Sequence, residues 1–64
     1  MVIEDIKIGG IYRVDGEPSV YIGMVAVGKG KAHAFVCDYG TLYLNTSALK
    51  NKLNTTDFEV VEKN

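Results

Sequence analysis

Cys37 and His33 are the two side chains whose types could form a nucleophile–base pair, and they stand four residues apart. On a strand an even separation puts both on one face, but about 13 Å apart at ~3.3 Å per residue, beyond the hydrogen-bond reach that such a pair needs. One Cys and one His do not make a metal-ligand set either, so no metal or other cofactor is expected. Gly28-Lys29-Gly30-Lys31 has the glycines and lysine of a phosphate loop but lacks the Gly-Lys-Ser/Thr ending and the following helix, and reads as a hairpin turn. Glu4, Asp5, Asp15, Glu17, Asp57, Glu59 and Glu62 fall at expected strand ends and near the termini, and none forms the kind of pair that acid–base catalysis needs. The expectation is a protein that binds and does not catalyse.

The elements that carry these residues are short strands. Runs rich in Val, Ile, Tyr, Leu and Phe are separated by turn signals at Asp15-Gly16-Glu17-Pro18, Gly28-Lys29-Gly30-Lys31, Tyr39-Gly40 and Asn54-Thr55-Thr56. Strands are expected at Gly10 to Val14, Ser19 to Val27, Lys31 to Asp38, Thr41 to Asn45 and Phe58 to Val61. Thr46 to Leu53 is the exception. Its residues have helical propensity, Asn45 or Thr46 can cap the first turn, and Leu49 and Leu53 share a face at i,i+4.

The chain has 64 residues, which makes residues 1–64 a single domain. A domain of that size buries only about 60% of the surface that its unfolded chain exposes. Apolar residues and Tyr make up 47% of the chain and charged residues 23%, which is globular composition. The net charge of −1 and the scattered lysines argue against a dedicated nucleic-acid binder, whose affinity comes mostly from neutralised phosphates. Cys37 has no partner for an internal disulfide, so a reducing compartment, the cytoplasm, is expected. Met1 to Gly10 carries Glu4 and Asp5 where a signal peptide would be basic and then apolar, and no run is long enough to cross a membrane as a helix.

Two tight turns predict the register. A two-residue loop at Tyr39-Gly40 sets Cys37 opposite Leu42 and Phe35 opposite Leu44; one at Lys29-Gly30 sets Met24 opposite Phe35 and Ile22 opposite Cys37. Val20, Ile22, Met24, Phe35, Cys37, Leu42 and Leu44 then form the core face, closed by Ile6, Ile8, Leu49, Phe58 and Val60. There Cys37 is an unreactive structural thiol. The opposite face carries Tyr21, Val25, Val27, Ala32, Ala34, Val36 and Tyr43 where a solvated sheet would carry polar side chains. Such a surface marks an interaction site unless Val2 to Ile8 or the C-terminal tail folds across it.

The order of strands, with a helical turn before the last, is that of an SH3-like barrel. The stretch Ala34-Phe35-Val36-Cys37-Asp38-Tyr39-Gly40, followed after a polar step by Leu49-Lys50, resembles the Tudor pattern. Ile6 to Val14 is similar to the first strand of KOW-type barrels. The resemblance implies an all-β, five-stranded fold. For Tudor domains it also implies an aromatic cage for methylated Lys or Arg, with Tyr39 and Tyr21 at matching positions. Val14, Val36 and Thr41 depart from that pattern at the other cage positions.

The expected function is therefore a protein-binding module, an adaptor or inhibitor-like accessory protein of the kind found in bacteria and phages. Tyr12, Tyr21, Val25, Val36, Tyr39 and Tyr43 are its candidate binding residues, and the partner is another protein or a second copy. Nucleic acid ranks below protein as a partner; there Tyr12, Tyr21 and Tyr43 would stack on bases beside Arg13, Lys29 and Lys31. A homo-oligomer binding a small molecule at its subunit junction is the remaining alternative.

Overall fold

A computed structural model describes residues 1–62. A single 3₁₀ turn, Ile3–Asp5, precedes β1 (Ile11–Val14), β2 (Glu17–Val27), β3 (Gly30–Cys37), β4 (Gly40–Leu44), α1 (Thr46–Leu53) and β5 (Phe58–Glu62). The strands form one antiparallel sheet in the order β4-β3-β2-β1-β5. The helix forms where its cap and apolar spacing place it. Asn45 accepts a hydrogen bond from the Ala48 amide at 2.7 Å, and Leu49 and Leu53 are the buried pair. At the other end of the sheet, Lys52 reaches Asp15 Oδ1 at 2.7 Å and ties α1 to the β1–β2 turn.

Both hairpin loops lie one residue earlier than the turn signals predict. The β2–β3 loop is Gly28-Lys29, closed by Val27 opposite Gly30, and Gly28 takes φ +59°. A two-residue loop that matches strand twist needs a left-handed residue at its first central position, which glycine adopts without steric cost and lysine does not. The β3–β4 loop is Asp38-Tyr39, so Phe35 lies opposite Leu42 and His33 opposite Leu44. Each shift moves the pairing by one residue on both strands, so the faces are preserved. Phe35, Leu42, Leu44 and Cys37 stay on the core side as expected, although Cys37 sits opposite Gly40 and is half-buried.

A β-bulge overturns the expectation for β2. Tyr21 pairs with Phe35 and Gly23 with Ala34, which leaves Ile22 as the extra residue, and Gly23 takes φ +97°. One inserted residue inverts the two faces from that point toward the start of the strand. Tyr21, expected outside, enters the core, and Val20, expected inside, lies outward opposite Val36. Met24 remains on the core side opposite His33 but is half exposed, as is Ile22. β1 pairs with β2 as far as Val20, backbone bonds with Gly9 and Gly10 reach Tyr21, and beyond it the far end of β2 pairs with β3.

The core gathers Ile6, Tyr12, Val14, Tyr21, Phe35, Leu44, Leu49, Leu53 and Phe58. Its centre is aromatic. Tyr12 stacks on Phe58 at 5.4 Å, Tyr21 leans on Phe35 at 5.0 Å, and Phe35 meets Phe58 edge-on at 6.0 Å. Ile6, Leu49 and Phe58 close the core as predicted. Ile8 and Val60 do not; both are exposed.

Candidate functional site

The outward side of the sheet is largely apolar, with Arg13 on β1 and Thr41 on β4 as its polar members. Ile11 lies opposite Val20, Val20 opposite Val36, and Val36 opposite Thr41, so one row crosses β1, β2, β3 and β4. The next row is Gly23, Ala34 and Tyr43, and beyond it Val25 lies opposite Ala32. No charged side chain interrupts these rows. Val20 and Val36 are each 38% exposed and Tyr43 is 52% exposed, while Ala34 is a closed floor between larger neighbours. A shallow groove of about 370 Å³ runs between Ile11, Pro18, Val20, Val36, Cys37 and Asp38.

The N-terminal segment covers this surface only in part, at the row of Gly23. A Cβ added at Gly23 would lie 3.2 Å from Ile8 Cδ1, so Ile8 packs at the bulge, yet Ile8 itself stays exposed and Val20, Val36 and Tyr43 stay open. Residues up to Glu62 of the C-terminal segment run along the edge beside β1.

Of the six predicted binding residues, Val25, Val36 and Tyr43 share the outward face, with Val25 half-buried. Tyr39 is 85% exposed at the tip of the β3–β4 loop. Tyr12 and Tyr21, expected on the binding surface, are core residues instead, 0% and 8% exposed. Tyr12 is positioned by the Lys7 amide, which donates to its hydroxyl at 2.8 Å. Tyr21 is held by His33. With Tyr21 inside, it and Tyr39 do not form a cage, and the three-tyrosine stacking platform is reduced to Tyr43. Arg13, one of the cations beside that platform, pairs with Glu59 at 3.3 Å.

Val20 and Ile11 lie in the same outward row as Val36, where the sequence pattern does not place them. The readable signal was Gly23, a lone glycine inside a strand-forming run, which is where bulges occur.

Tyr21, His33 and Cys37 are engaged in structural hydrogen bonds. The Tyr21 hydroxyl lies 2.9 Å from His33 Nδ1, and His33 Nε2 lies 3.2 Å from Thr46 Oγ1, linking β2, β3 and the first residue of α1. Burial pushes the His33 pKa down, so the ring is neutral near pH 7, with one nitrogen donating and the other accepting. Burial, and secondarily the Tyr12 phenol, raises the pKa of Tyr21 and keeps its hydroxyl protonated. Cys37 Sγ donates to the Gly40 carbonyl at 3.3 Å. Among the described residues no three His, Cys, Asp or Glu side chains cluster as metal ligands, and no helix is long and apolar enough to cross a membrane.

The arrangement can therefore offer a shallow, largely apolar surface to a partner. Comparison of the chain with protein-family models, with curated proteins and with solved structures yields no match to any of them.

Proposed function

We propose that this chain is an SH3-like small barrel acting as a non-enzymatic protein-binding domain, which docks a polypeptide on the outward face of β1 to β4. The observation that carries the reading is the uninterrupted row Ile11, Val20 and Val36, flanked by half-exposed Tyr43. Apolar side chains in a contiguous outward patch gain free energy when a partner removes them from water, and Tyr tolerates water until it does. The strand order, with α1 ahead of the last strand, supports the barrel assignment. Engagement of His33 and Cys37 in structural hydrogen bonds supports a binding role over a catalytic one. The unpaired Cys37 supports a reducing compartment such as the cytoplasm.

The test is affinity capture with the parent chain and with Val36→Lys, which places a charge at the centre of the row without entering the core. A polypeptide retained by the parent and released by the variant, with thermal melting unchanged, is the expected result. Identical capture profiles for the two chains overturn the reading.

A further inference from the structure

We propose that β4 is an assembly edge, at which two copies of this chain join by antiparallel pairing of their Gly40–Leu44 strands about a two-fold axis. The strand order makes β4 and β5 the two edges of the sheet. Along each, alternate residues turn their N–H and C=O groups away from the neighbouring strand, and among the described residues β4 has no second strand beside it. Folded proteins usually guard such edges with charge, proline or a bulge. β5 is guarded. It carries Glu59 and Glu62, and its ladder with β1 shifts register between Ile11 and Tyr12. β4 reads Gly-Thr-Leu-Tyr-Leu, with no charge and no proline, and makes five regular consecutive pairs with β3.

The same contrast selects a second copy as the occupant. A two-fold axis at Leu42 sets Leu42 against its own copy and Thr41 against Tyr43 of the partner subunit, so that no like charges meet. The equivalent operation on β5 at Val60 sets each Glu62 against Phe58 of the partner subunit and the two Glu59 side chains on a diagonal, so charged side chains enter that strand pair where β4 has none. Pairing β4 with a β5 edge would be head-to-tail and closes only where its rotation completes a ring, whereas β4 with β4 closes as a dimer. Thr41 and Tyr43 lie outward with Val36 and Ala34, so the pairing joins the apolar faces of the two copies into one surface and covers part of Tyr43. It uses the edge of the sheet, not its face, and is tested separately from the docking function proposed above.

Sedimentation equilibrium over a wide concentration range, with residue-resolved amide exchange, decides the matter. The expected result is a mass that rises to twice the monomer, with β4 amides becoming slower to exchange as concentration rises and β5 amides unchanged. Thr41→Lys, at an exposed edge position, loses the dimer with melting unchanged; Val61→Lys retains it. A chain that stays monomeric throughout overturns the proposal, as does a dimer lost with Val61→Lys but kept with Thr41→Lys. A dimer lost with Val20→Lys and kept with Thr41→Lys also overturns it, because the copies would then pack through the face. Release of a captured polypeptide by Val36→Lys in a monomeric chain leaves the docking function standing while the edge fails.

Discussion

The Tyr21 hydroxyl and His33 Nδ1 lie 2.9 Å apart inside the sheet, and the second ring nitrogen of His33 continues the link to Thr46 at the start of α1. This contact is possible only because the bulge at Ile22 turns Tyr21 inward. It joins three elements through a ring that must stay neutral to accept and donate at once.

His33 makes stability depend on pH in a stated direction. Its folded pKa lies below the ordinary value of about 6.5, so at lower pH the unfolded chain takes up the proton first. The stabilisation is complete above pH 6.5 and is lost as pH falls through the folded pKa. Urea unfolding at about pH 7.5 and about pH 5.5 should show lower stability in the more acidic buffer, and His33→Gln should flatten that difference. An equal pH response in both chains would mean that His33 is not the titrating group.

Tyr21 and Tyr43 should respond oppositely to the same substitution. Tyr21→Ser removes a buried ring and leaves His33 Nδ1 without its partner, which should cost about 3–5 kcal/mol by analogy with large-to-small core changes. Tyr43→Ser, on the exposed face, should stay within about 0.5 kcal/mol of the parent. Denaturant midpoints of the two variants check this. Equal losses would place both rings in one environment, against the bulge.

Gly10 is confined by Tyr12. A Cβ at Gly10 would sit 2.8 Å from the Tyr12 hydroxyl oxygen and 2.9 Å from ring carbon Cε2. That ring cannot swing aside, since it stacks on Phe58 and its hydroxyl accepts from the Lys7 amide. Gly10→Ala should therefore destabilise by about 1–3 kcal/mol through overpacking, read as a lower melting temperature. Unchanged melting would show that Tyr12 is free to move.

Asn45 caps α1 through the Ala48 amide. Asn45→Ala should cost about 1 kcal/mol and Asn45→Asp should keep most of the stability, because the carboxylate also accepts from that amide. Thermal melts of the two variants separate a cap from a residue that is merely polar.

Much of this architecture was legible in local chemistry. β1 to β5 and α1 fall where turn residues, β-branched runs and the Asn45 cap place them, because those signals act over a few neighbours. The faces of β3 and β4 were legible too. Moving a two-residue loop by one position shifts both strands together, so Phe35, Leu42 and Leu44 point inward in either register. What sequence alone did not determine was the inner face of β2. Tyr21 and Val20 are both plausible core residues by type, and alternation without a break would bury Val20. The choice was made across the sheet, by Phe35 and His33. They offer Tyr21 a ring to lean on and a partner for its hydroxyl, and the glycine at position 23 lets the strand bend enough to present it. That decision moved Val20 into the outward row with Ile11 and Val36, because inserting one residue into a period of two exchanges inside for outside.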